Sequence, residues 1–174
     1  MVSEDVATRV QSYIKHQATK SRDFILEFVA TSQGRYIDLV SQVDDDVAVR
    51  KPAPDEWSIR ELTLHVMTTE ASVSRMLAAA ARGEQPPSEK RGIGMTRADD
   101  PARPFADVVE ELRGVNADML TAIRDMPEIP DVSLTPPHPF FGPLNCLEWA
   151  VFQRVHDEDH VQHANKILAA VAGA

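Results

Sequence analysis

Proline decides where this chain can be helical. Its prolines fall in short stretches, at Pro52 and Pro54, Pro86 and Pro87, Pro101 and Pro104, Pro127 and Pro130, and from Pro136 to Pro143. A helix interior does not tolerate the missing N–H and the ring clash, so these stretches mark connections and the gaps between them mark candidate helices. From Ser3 to about Val43 there is no proline and only one glycine, Gly34. Apolar residues recur there at helical spacing, as Val6, Val10 and Ile14 and then as Ile25, Val29, Tyr36, Val40 and Val43. Lys15 to Arg22 is too polar for a core, which places a break near residue 20 and makes the first part an N-terminal helical extension.

The next helix starts with complete local punctuation. In Trp57-Ser58-Ile59-Arg60-Glu61-Leu62, Ser58 is an N-cap, Glu61 its partner three residues on, and Trp57 and Leu62 take the flanking apolar positions. The pattern continues to about Arg82, where Gly83 supplies a stop. Residues 83 to 103 are rich in Gly, Pro and charge and read as a loop. Its length lets a third helix, from about Pro104 to Met126, run parallel to the second. After a second loop, Pro127 to Pro143, the same punctuation returns: Asn145 caps, Glu148 follows three residues later, and Leu144 and Trp149 flank them. The last helix then runs from near Cys146 to about Ala170. Nothing alternates with period two, so no strand is expected. The chain reads as all-α, one domain over residues 1–174, with four or five helices around a single core.

Charge excludes one class of function. Eighteen Lys and Arg against twenty-seven Asp and Glu leave a net charge of −9, which gives no bulk support to phosphate-backbone binding and argues against nucleic acid. The single cysteine cannot close an intrachain disulfide, and Met1 to Asp5 has neither the basic nor the apolar region of a secretory leader. With no apolar run long enough for a bilayer, a soluble, cytoplasmic protein is expected.

Three of the six histidines fall within eight residues of the last helix. With His156 at zero on a helical wheel, His160 lies at about 40° and His163 at about −20°, on one narrow stripe with Trp149 and Phe152 on the same side. Two imidazoles one turn apart can present their nitrogens to one point, as helical metal sites do. His65, with Leu62 and Thr69 on its face, is the histidine of the second helix that could turn inward to meet them. Three neutral imidazoles with an open position suit Zn²⁺, Ni²⁺ or Fe²⁺. His163 could be a fourth ligand, a rim residue or, preferably, a group that supports the ligands. His138 could line a pocket mouth, although an ordinary turn histidine fits its Pro-rich loop better, and His16 receives no role.

The neighbouring carboxylates do not form a protease motif. Zincin-type motifs need Glu directly after the first His or directly before the second, and His156-Asp157-Glu158-Asp159-His160 has Asp at both places. Glu158 falls toward solvent. Asp157 and Asp159 could support the ligands or accept a proton, while a charged outer face is the plainer assignment. Cys146 sits at a helix start, where the dipole favours a thiolate, but a small buried residue is the commoner case and no site role is given to it. Arg60 and Arg154 read as ordinary helix charges.

The Trp57 to Leu62 start with His65, followed by Phe141-Gly142-Pro143-Leu144-Asn145, Glu148-Trp149, His156 and His160, resembles the DinB/YfiT-like superfamily over about residues 20 to 170. That resemblance implies a four-helix bundle with an up-down-down-up path, frequently a homodimer, whose metal-binding histidines match His65, His156 and His160. Relatives often carry Gln at the place of His163. Superfamily members of known activity include thiol S-transferases using bacillithiol or mycothiol and a mycothiol-dependent maleylpyruvate isomerase. The expectation is therefore a metal-dependent thiol S-transferase acting on small electrophiles. Its rivals are a metal-dependent hydrolase with Asp157, Asp159 or His163 as base, and a non-catalytic metal- or ligand-binding bundle. Catalytic and cofactor-binding residues beyond the histidines stay unassigned.

Overall fold

A computed structural model describes residues 4–86 and 97–172. The helices are α1 (Glu4–Gln17), α2 (Arg22–Val40), the single turn α3 (Asp45–Ala48), α4 (Ile59–Ala80), α5 (Phe105–Arg124) and α6 (Cys146–Ala172). The break expected near residue 20 falls between α1 and α2, where the Ser21 side chain accepts from the Phe24 amide at 3.2 Å. The middle of the long loop, residues 87–96, lies outside the described residues, as do the first three residues of the expected leader-free N-terminus.

Both expected helix starts are present as reciprocal caps. Ser58 Oγ accepts from Glu61 N at 3.2 Å while Glu61 Oε2 accepts from Ser58 N at 2.8 Å. Asn145 Oδ1 accepts from Leu147 N and Glu148 N, both at 3.0 Å, and Asn145 N donates to Glu148 Oε2 at 2.9 Å. Each pair satisfies amides that the first helical turn leaves without partners. Ser58→Ala should lower unfolding free energy by about 1 kcal/mol, read as a lower urea midpoint; an unchanged midpoint would mean that packing alone holds this end. At the other end of α4 the chain turns at Gly83 with φ +72, a left-handed conformation that L side chains resist.

The four long helices form the bundle, and their packing gives its path. Gln33 meets Glu70 and Tyr36 meets Thr63, so α2 and α4 run in opposite directions across the bundle. Ile25 and Val29 share an apolar cluster with Trp149 to Phe152, whereas Tyr36, Ile37 and Val40 share another with Ala164, Ile167 and Val171, so α2 and α6 are parallel. By the same logic α4 and α5 are parallel, with Ile59 to Met67 beside Phe105 to Leu112 and Val73 to Ala81 beside Met119 to Met126. The path is up-down-down-up, and the long α4–α5 connection is what a parallel neighbour requires.

Three features differ from the sequence expectation. The single core is two apolar clusters, parted by a layer of buried polar side chains: Ser32 and Gln33 from α2, Glu70 from α4, Asn116 from α5, and Gln153 and Asp157 from α6. The second loop contains a minimal antiparallel bridge, β1 (Pro137–His138) with β2 (Gly142–Pro143), too short to leave a period-two trace. Arg60 is no ordinary surface charge. It is buried, ion-paired with Asp99, and donates to the carbonyls of Asp100 and Arg103 at 2.9 Å, clasping the end of the long loop to α4.

Candidate metal centre

His65 sits on the second turn of α4, fixed by the Ser58 cap, and His156 and His160 sit one turn apart in the middle of α6. The two helices pack against each other, and the three imidazoles converge. His65 Nε2 lies 3.4 Å from His156 Nε2, which lies 3.1 Å from His160 Nε2. Two nitrogens bound to one tetrahedral zinc, each about 2.0–2.1 Å from it, stand about 3.4 Å apart. The donor set therefore has the spacing of a metal site, and among the described residues these three are the group of His, Cys, Asp or Glu that could hold an ion.

Their electrostatics suit the same purpose. Burial, and then the neighbouring His65, push His156 down to about 3. Burial, then His156, His65 and His163, push His160 down to about 2. Both rings are neutral at physiological pH, the state in which an imidazole has a lone pair to give. Three converging nitrogens cannot all be satisfied by each other, since a proton between any two leaves the third facing a lone pair or an N–H. Buried Nδ1 atoms of His156 and His160 have no hydrogen-bond partner among the described residues; Asp157 Oδ1, 3.9 Å from His156 Nδ1, is beyond hydrogen-bond reach.

Aromatic rings flank the triad on both sides. The Trp57 ring lies 4.9 Å from that of His65 and stacks on His163 at 6.1 Å. His163 is thus held against Trp57, with its ring centre 6.2 Å from that of His160, outside the converging set. On the other side Phe152 is 5.8 Å from His156 and packs under His138 at 4.4 Å. His138 serves the β1–β2 bridge, its Nδ1 accepting from the amides of Phe140 and Phe141 at 3.1 and 3.2 Å.

The acidic run beside the histidines disperses. Asp157 is not on a charged outer face: it is 1% exposed, accepts from Ser32 Oγ at 3.0 Å and from Gln153 Nε2 at 2.7 Å, and belongs to the polar layer. Glu158 pairs with Arg35 at 2.7 Å. Asp159 lines an open groove of about 350 Å³ between α1 and α6, with Arg9, Tyr13 and Gln162, in which none of the three converging histidines takes part. Cys146 is fully buried, its Sγ donates to the Asp131 carbonyl at 3.5 Å, and burial raises its pKa despite the helix-start position.

Comparison with known proteins agrees with the helical-bundle fold. A family model described as the DinB superfamily matches residues 29–164. An uncharacterized protein of Bacillus subtilis (strain 168), YuaE, is 26% identical over 147 residues, covering 76% of this chain and 90% of YuaE. The crystal structure of TT2238, a four-helix bundle protein, superposes with a TM-score of 0.63 at 21% identity, covering 84% of this chain and 99% of that one. A conserved protein from Enterococcus faecalis gives a TM-score of 0.62 at 16% identity, covering 90% and 99%. At those identities the two structures speak for the fold alone. No helix among the described residues is long and apolar enough to cross a membrane.

Proposed function

Because this chain belongs to the DinB superfamily, we propose that His65, His156 and His160 hold one divalent cation and that the protein transfers a small cellular thiol onto a small electrophile. The observation that carries this reading is the convergence of three imidazoles on one point. A cation of the zinc, nickel or iron type held there would lower the pKa of a bound thiol and keep it as thiolate near neutral pH.

The chain's own residues favour a thiol from outside. The three imidazoles carry no charge to offset a dication, so an anion is the natural further partner, and a thiolate is a soft one. Cys146, the one cysteine of the sequence, cannot supply it, being buried with its thiol pK raised. A diffusible thiol of the mycothiol or bacillithiol type fits. Its sulfur forms the new C–S bond as chloride leaves, or as an epoxide C–O bond breaks and the alkoxide takes a proton. Trp57 and Phe152 give the triad apolar neighbours on two sides. The hydrolase alternative is left with His163 as its base, because Asp157 is committed to Ser32 and Gln153 and Asp159 lines the groove between α1 and α6.

The test uses protein purified without a polyhistidine tag and loaded with Zn²⁺ or Ni²⁺. Consumption of free thiol in the presence of a chlorinated or epoxide electrophile should require both the metal and the thiol. Product that forms equally without thiol would favour the hydrolase. A metal-loaded protein inert with every thiol tried would leave only binding.

A further inference from the structure

The polar layer contains a second chemistry that the histidine triad does not use. Glu70, in the middle of α4, is 0% exposed. From α2, Gln33 donates its Nε2 to Glu70 Oε1. From α5, the Asn116 carboxamide, turned so that its nitrogen also meets the Leu112 carbonyl at 3.1 Å, donates to Glu70 Oε2 at 2.8 Å. Both partners are uncharged. From α6 comes Asp157, the titratable group that faces it, and like charge there opposes ionisation. No lysine or arginine forms an ion pair with Glu70 among the described residues. A carboxylate so placed would be a buried charge without a counter-ion, which proteins avoid by taking up a proton.

A second observation points the same way. Gln33 Oε1 is a buried acceptor with no donor among the described residues, in the same carboxamide whose nitrogen reaches Glu70. A carboxylic acid, unlike a carboxylate, has an O–H to give. One proton on Glu70 therefore removes the uncompensated charge and adds a donor to the polar group that contains the orphaned oxygen.

We propose that Glu70 is a resident neutral acid that ties α2, α4 and α5 together at the middle of the bundle, and that this makes the fold a pH-sensitive device independent of the histidine triad. Burial and Asp157 raise the Glu70 pKa well above the ordinary 4.5, which supports the assignment. The sign follows. Above pH 4.5 the unfolded chain gives up this proton and the folded chain keeps it, so this contribution is full below 4.5 and is lost as pH rises toward the folded pKa. A glutamine at this position keeps the shape and has no proton to lose.

Urea unfolding of the full chain and of Glu70→Gln, followed from about pH 5 to about pH 8, tests the proposal. The ratio of the variant's folding constant to that of the parent should rise about tenfold per pH unit until the folded acid begins to ionise. Parallel profiles would overturn it. Should Glu70→Gln fail to fold, the ¹³C carboxyl resonance of Glu70 in the parent protein decides instead. A shift that stays in the protonated range through neutral pH supports the proposal, and one that titrates like an exposed glutamate refutes it.

Discussion

His65→Ala should lose more than about 100-fold in affinity for Zn²⁺ or Ni²⁺, a larger loss than removal of a supporting residue produces. In the proposed site His65 is the ligand that α4 would contribute; without it the remaining pair on α6 is an ordinary i, i+4 couple on one helix. His163→Ala is the matched control, because His163 shares the stripe but packs on Trp57 outside the converging set. It should stay within about tenfold of the parent. Elemental analysis and a zinc titration read both, with circular dichroism confirming that the variants are folded. Heating provides an independent check. Metal at 100 times its dissociation constant stabilises a folded protein by about 2.7 kcal/mol, so zinc should raise the parent's melting temperature and leave that of His65→Ala unmoved. Equal metal content in parent and His65→Ala would remove this residue from the site and, with it, the proposed activity.

Acid should unfold the metal-free protein abruptly below about pH 4, with little change in stability between about pH 4.5 and 6.5. Two opposed linkages produce that shape. His156 and His160 have folded pKa values of about 3 and about 2 against 6.5 unfolded, so their contribution is full above 6.5 and is lost as pH falls. Glu70 and Asp157 shift the other way, Glu70 well above 4.5 and Asp157, first by burial, to about 7 from 3.8; their contribution is full in acid and is lost as pH rises. Between 4.5 and 6.5 two protons on each side cancel. Below the ordinary carboxyl range the histidines are the members of these four groups that still titrate, and their share of stability falls by about 3 kcal/mol per pH unit. That fall runs only down to the folded values of about 3 and about 2 and removes about 5 kcal/mol in all, enough to unfold a protein at the lower end of the usual range of about 5–15 kcal/mol. Urea midpoints measured across the range check it. A steady decline beginning already at pH 6.5 would mean that the carboxyls do not offset the histidines.

What could be read from the sequence was what is written locally. Proline positions and the Ser58–Glu61 and Asn145–Glu148 boxes locate the helices because a cap and its partner lie within one turn. The inward turn of His65 and the common stripe of His156 and His160 follow from helical period alone. Asp157 was misplaced for the complementary reason. On the helical wheel it stands about 100° from His156, at the margin between core and surface, and only the arrival of Ser32 from α2 decides which side it takes. Arg60 is buried by Asp99, 39 residues later in the chain. Glu70 left a fainter signal, a carboxylate interrupting an apolar face between Met67 and Val73, which becomes legible only when Gln33 and Asn116 are known to meet it.

The up-down-down-up path also sets when the triad can exist. Its two halves are 91 residues apart, and the last helix is both the final one synthesised and the neighbour of the first main helix. Contacts this distant in sequence close late. At about 5–20 residues per second, a nascent chain carries His65 for on the order of ten seconds before His156 is even made. A ribosome-bound chain stopped short of α6 therefore presents one imidazole of the triad and no chelate, and the metal loading proposed for the triad would wait for the last helix.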